Sequence, residues 1–163
     1  YWSTAHPLES GTDSNRFTVA QSLGISALEQ AVQNMMLLKA YKGYVNPISG
    51  PFCLEVAPGN AMLAQRIVNS QLRPGSADND KNVIVSHGLV ESVCVGPYFT
   101  NAGYWCIHST NAMENRRIYL ERYPRKTTAS EYDQDTDSWK TSCKESYLFD
   151  VLDYRDVYGS PAA

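Results

Sequence analysis

Two early stretches of the chain carry apolar residues at three- and four-residue spacing. Ile25, Leu28, Val32, Met35, Met36 and then Lys39 fall on one helical face, opposite Glu29, Gln30, Gln33 and Asn34. Ser26-Ala27-Leu28-Glu29 reads as a capping box, in which the serine oxygen accepts from an orphan N–H and Glu29 reaches back. Gly43 and then Pro47 end the pattern, so the spacing predicts a helix over 26–42 with one buried stripe. A second helix is predicted over 61–72. Asn60 caps it, Met62, Leu63, Ile67, Val68 and Leu72 recur at helical spacing, Arg66 and Arg73 suit the negative end of its dipole, and Pro74-Gly75 stops it.

The later apolar runs are short or alternate. Phe52 to Ala57, between Pro51 and Pro58, reads as a strand. Val83, Val85, Leu89, Val93 and Val95 share one parity, which predicts strand over 83–95. Trp105 and Ile107 mark a strand over 104–109, and Ile118 and Leu120 another over 116–123. Tyr147 to Val157 fits neither period and reads as a strand or a short helix. Polar stretches predict an extended N-terminal arm over 1–24, a loop over 75–82, a long loop over 125–145 and a frayed tail over 159–163. The expected architecture is one α+β domain over 1–163: two helices packed on an antiparallel sheet of four to five strands, with two disulfides.

Composition narrows the function. A chain of 163 residues with 43% hydrophobic and 19% charged residues suits one folded domain. A net charge of −3 gives no overall pull toward nucleic acid or an anionic membrane. No stretch approaches the ~20 apolar residues of a membrane span. The opening at Tyr1-Trp2 without Met predicts a mature chain whose signal peptide has been removed. The 11 tyrosines suit half-wet strands and binding surfaces, because each ring has an apolar body and a polar tip.

Cys53, Cys94, Cys106 and Cys143 are even in number, and none forms a C-x-x-C pair. Zinc and redox motifs need that close spacing, so two structural disulfides are expected, and with them a secreted, extracellular setting. If 89–95 and 103–109 form a hairpin with Cys94 facing Cys106, then Val95 faces Trp105 and Val93 faces Ile107. Cysteines, Ser92 and His108 then share one side, and the apolar residues the other. That register favours Cys94–Cys106 with Cys53–Cys143; Cys53–Cys94 with Cys106–Cys143 is the rival.

Catalytic motifs are scarce. A metal-free nuclease uses two histidines, or a histidine and a glutamate, as acid and base; here the set to test is His87, His108 and Arg117. Parity sets His87 and His108 on opposite sides of their strands unless a bulge at Gly88 rephases them. Ser86-His87-Gly88 lacks the G-x-S-x-G elbow, and Glu131, Asp133, Asp135 and Asp137 lack the glycine and terminal glutamate of a calcium loop. No metal and no cofactor are expected. Arg116, Arg117, Arg122, Arg125 and Lys126, interleaved with Tyr119 and Tyr123, form the candidate binding surface, since arginine beside tyrosine grips phosphate, stacks bases or anchors a protein interface.

The opening Tyr1-Trp2, the helix through Ala31-Val32, and Gly43-Tyr44 before Pro47 resemble the ribonuclease-like secreted effectors of cereal mildew fungi over about the first 55 residues. That family carries a cysteine just after the opening aromatics, where this chain has Ser3 and Thr4. The resemblance implies a catalytically inactive ribonuclease-like fold that binds host molecules. A helix packed on an antiparallel sheet with disulfides toward the C-terminus is also similar to the globular part of type IV pilins. That resemblance implies an apolar segment of about 20 residues upstream in the precursor.

The resulting expectation is a secreted, non-catalytic binding protein, in the manner of a pathogen effector or virulence factor, whose partner is a host protein or nucleic acid. A secreted metal-independent nuclease and a pilus subunit are the alternatives.

Overall fold

The N-terminal residues fold back on themselves: β1 (His6–Pro7) pairs antiparallel with β2 (Thr12–Asp13). The structure is a computed structural model. It describes residues 2–45, 48, 50–73, 80–111, 118–122, 126–151 and 154–161, without the side chains of 118–122 and 149–151. The stretch expected as an extended arm is docked instead, with Asn15, Phe17 and Leu23 buried. Phe17 supplies the reason: its ring lies 5.1 Å from that of Tyr158 and 5.9 Å from that of Trp105.

α1 (Ile25–Met36) buries Ile25, Leu28, Ala31, Val32 and Met35, the stripe its spacing predicts. Gly24 is its N-cap rather than Ser26, whose hydroxyl instead accepts from the Arg73 guanidinium at 2.7 Å. Glu29, the expected partner in the capping box, lies 3.7 Å from the same guanidinium. The helix stops at Met36, short of residue 42, because the chain turns over 40–44. There Ala40 N–H donates to the Tyr44 carbonyl, and Gly43 takes a φ of 84° that a side chain would resist.

β3 (Phe52–Val56) and a 3₁₀ turn (Pro58–Asn60) lead into α2 (Ala61–Asn69). Next comes a departure from the pattern. Part of the strand expected over 83–95 is a single helical turn, α3 (Val83–Ser86), and only β4 (Val90–Val95) is extended. Asn82 causes this: its side-chain oxygen accepts from Ile84 N–H, a local bond that outcompetes the β preference of Val-Ile-Val. Gly88, at φ 60°, follows the turn. β5 (Trp105–Ser109) comes after a loop.

Later in the chain lie β6 (Ile118–Arg122), β7 (Thr127–Asp133), β8 (Ser138–Lys144), β9 (Tyr147–Val151) and β10 (Val157–Ser160). The chain divides into two units, Tyr1–Arg116 with Asp153–Ala163, and Arg117–Leu152.

The larger unit is built on a four-stranded sheet in the order β10-β5-β3-β4. β10 and β3 flank β5 antiparallel, while β4 runs parallel to β3. An all-antiparallel sheet was expected. The connection through α2 and α3 is a crossover, which returns the chain to the sheet in the same direction. The expected hairpin of 89–95 with 103–109 does not form, because β3 lies between the two strands. β3 takes the centre because it is the most apolar strand: Phe52, Cys53, Leu54 and Val56 are all at most 2% exposed.

One face of the sheet carries Phe52, Leu54, Val56, Trp105 and Ile107, in a core shared with Leu28 and Met35 of α1, Ile67 of α2 and Ile84 of α3. Each such side chain contributes about 1.5–3 kcal/mol on burial. Gly159 and Ser160, expected in a frayed tail, belong to β10, which is buried throughout and pairs Val157 to Ser160 with His108 to Trp105.

The smaller unit has two antiparallel pairs, β6 with β9 and β7 with β8. Residues 125–145 were expected as a long loop. Residues 127–144 of them instead form a hairpin, turning through Asp137 at φ 47°. Its strands are polar on both sides, so the hydrophobic alternation that usually announces a strand is missing.

Candidate functional site

The second face of the central sheet gathers most of the reactive side chains. Across β3, Cys53 is in register with His108 on β5 and Ser92 on β4, and Glu55 with Cys106 and Cys94. Residues in register point the same way, so Cys53, Glu55, Ser92, Cys94, Cys106 and His108 share that face. The sorting expected for a hairpin therefore holds, although a third strand separates its two halves.

The contacts on this face are specific. The Cys106 thiol donates to Glu55 Oε2 at 3.7 Å, and His108 Nδ1 lies 3.9 Å from the same oxygen, an ion pair whenever the ring is protonated. Cys53 Sγ donates to Cys94 Sγ at 2.9 Å. No two of the four cysteines are at disulfide bonding distance. Burial, then the hydrogen bond with Cys94, pushes the Cys53 thiol up to about 11, against a smaller opposing effect of the Ser92 hydrogen bond. Burial, with added repulsion from Cys106 and Glu55, raises the Tyr104 phenol to about 12. Tyr104 stacks on Trp2, and the Trp2 ring reaches over Gly159 beside Cys106.

The expected nuclease set is not assembled here. His87 is the exposed C-cap of α3, His108 faces Glu55, and Arg117 lies outside the described residues. Sequence reasoning missed Glu55 as the neighbour of His108 and Cys106, and the Trp2–Tyr104 stack. The signal for Glu55 was its shared parity with Cys53 in a strand whose other residues are apolar.

The expected binding cluster is described only in part. Arg116, Arg117, Tyr123 and Arg125 lie outside the described residues. Tyr119 and Arg122 are described by backbone alone, in register with Asp150 and Tyr147 on β9, and Lys126 is exposed.

The β7–β8 ribbon that follows is sorted by charge. Register pairs Thr128 with Cys143, Ser130 with Thr141 and Tyr132 with Trp139 on one face, which bears no charged residue. The opposite face pairs Glu131 with Lys140 and Thr127 with Lys144. Trp139 is 72% exposed and lies 5.4 Å, ring to ring, from Tyr132. Hydrogen bonds of Tyr132 to Asp137 and of Lys140 to Asp133 hold the turn. The first raises the Tyr132 phenol and the second holds the Asp133 carboxyl below its ordinary range. Tyr147 and Leu148, at the start of β9, are also exposed.

Among the described residues no three His, Cys, Asp or Glu side chains are grouped to hold a metal ion, and no helix is long and apolar enough to cross a membrane. The chain matches no family, no curated protein and no solved structure.

Proposed function

We propose that this chain is a secreted, non-catalytic binding protein. Its contact surface is the uncharged face of the β7–β8 ribbon, together with the tyrosine- and arginine-bearing stretch that precedes it in the chain. The observation that carries this reading is Trp139, 72% exposed beside Tyr132 on a face without charge. Exposed aromatic residues with an uncharged surround are the composition of protein interface centres. A two-stranded ribbon is marginally stable by itself, and a partner that covers this face stabilises it. The partner class is a protein, because the centre of this surface is aromatic and uncharged. The spacing of the cysteines and the resemblance to secreted effectors support an extracellular role against host molecules.

The test is co-precipitation from host-cell extract by wild type and by Trp139→Ala, with thermal melts of both. A partner lost from the variant at unchanged Tm is expected, and a partner fully retained rejects the surface. Fluorescence anisotropy with a labelled single-stranded RNA supplies the contrast: tight, salt-sensitive binding would assign nucleic acid in place of protein.

A second reading, the metal-independent nuclease, is favoured by one contact, His108 Nδ1 at 3.9 Å from Glu55 Oε2. A carboxylate and an imidazole side by side are a base and an acid for phosphodiester cleavage. RNA cleavage by wild type, His108→Ala and Glu55→Gln tests it, and equal absence of activity in all three removes it.

A further inference from the structure

A thiol pair bridges β3 and the edge strand β4. We propose that Cys53 and Cys94 close to an intrachain disulfide on meeting a small-molecule disulfide such as oxidised glutathione, clasping the edge strand to the centre of the sheet. The two sulfurs lie 2.9 Å apart. A disulfide bond is about 2.0 Å, so bonding needs an approach of only about 0.9 Å. Both residues sit on the same sheet face of neighbouring strands, which holds the sulfurs together without help from loops.

Exposure assigns the roles. Cys94 is exposed, whereas Cys53 is 2% exposed. The Cys94 thiolate attacks one sulfur of the incoming disulfide, whose S–S bond breaks; one small thiolate leaves and takes a proton from water. Cys53 then gives its proton to solvent and attacks Cys94 Sγ, expelling the second small thiol. Two protein thiols are oxidised and one small disulfide is reduced to two thiols. Burial, which raises the Cys53 pKa, keeps that thiol protonated, so the incoming disulfide is met first at Cys94. Cys106 shares the sheet face, but its thiol is buried against Glu55, with β3 between it and Cys94. Cys143 belongs to the other unit.

Peptide mapping tests the clasp. The reduced full chain is treated with oxidised glutathione, remaining thiols are alkylated, and the protein is digested without reduction. Trypsin cuts at Arg66 and Lys81, between Cys53 and Cys94, and chymotrypsin at Tyr98 and Tyr104, between Cys94 and Cys106. The expected product is a linked Cys53–Cys94 peptide, with Cys106 alkylated only after unfolding. Cys53→Ala keeps a glutathione adduct on Cys94, and Cys94→Ser leaves Cys53 a thiol. Oxidation raises Tm by about 8 °C, and dithiothreitol reverses the rise. A lasting adduct on Cys94 of the wild type, or Cys94 linked to Cys106 or Cys143, overturns the proposal.

Discussion

His6 lies flat on Tyr154, with ring centroids 3.6 Å apart and planes 6° from parallel. The stack joins the two ends of the chain, and Asn15 secures the same junction. Asn15 Oδ1 accepts from Ser3 N–H at 3.0 Å and bonds His6 Nε2 at 2.9 Å, while its Nδ2 donates to the Tyr154 carbonyl at 3.3 Å. Asn15 is fully buried, so removing its amide strands several polar groups at once. Asn15→Ala is predicted to lower the stability of the larger unit by about 2–3 kcal/mol and His6→Ala by about 1 kcal/mol. Urea denaturation followed by tryptophan fluorescence reads both. A His6→Ala midpoint equal to wild type would show that the stack contributes nothing.

Gly159 is predicted to reject even one added methyl group. A Cβ there would stand 2.5 Å from the Trp105 carbonyl oxygen, 2.6 Å from Cys106 Cβ and 2.6 Å from the Trp2 ring. Two of the three neighbours are in the β5 strand paired with it, which cannot move away without breaking the pairing. Gly159→Ala should cost about 2–4 kcal/mol. The same variant should shift the Trp2 emission, since that ring is the one neighbour free to leave. Unchanged stability with a displaced Trp2 would mean that β10 slides instead.

Asn82 carries the bend between α2 and β4. Its side-chain amide donates to the carbonyls of Ile67 at 2.7 Å and Ser70 at 3.0 Å, and its oxygen caps α3. Asn82→Asp turns the donor into an acceptor facing two carbonyls in a site 1% exposed. The predicted loss exceeds that of Asn82→Ala, itself about 2–3 kcal/mol, and it grows as pH rises above the carboxylate range. Denaturant midpoints of both variants at pH 4 and pH 8 provide the check; a pH-independent difference would contradict the buried charge.

Stability is predicted to fall on the alkaline side. The Cys53 thiol is raised from 9.0 to about 11 and the Tyr104 phenol from 10.0 to about 12, each first by burial. The folded state therefore holds these protons more tightly than the unfolded chain. Their contribution is fully present below pH 9, and declines through pH 9–11 for Cys53 and 10–12 for Tyr104. Tm should drop across that window, less steeply in Tyr104→Phe. Ionisation of Tyr104 near its ordinary pH, read by ultraviolet titration against that variant, would refute the burial.

The legible part of this protein was local. Ile25, Leu28, Val32 and Met35 announced α1 by their spacing, and the short apolar run of Phe52 to Ala57 between two prolines announced β3. The site was only half legible. Parity put Cys94, Cys106 and His108 on one side, but no local feature states that β3, with Glu55, enters between their strands. The 127–144 ribbon left no mark, because Thr, Ser and charged residues interrupt any apolar alternation along its strands.

Periodicity and turn residues, both properties of near neighbours, determined the main helices, about half of the strands and the side that residues within those strands take. Which strands pair, that β4 runs parallel, that Cys53 meets Cys94 and that His6 meets Tyr154 were decided by tertiary structure. Those pairings follow from burying the most apolar strand at the centre, a competition among distant segments that no local stretch records.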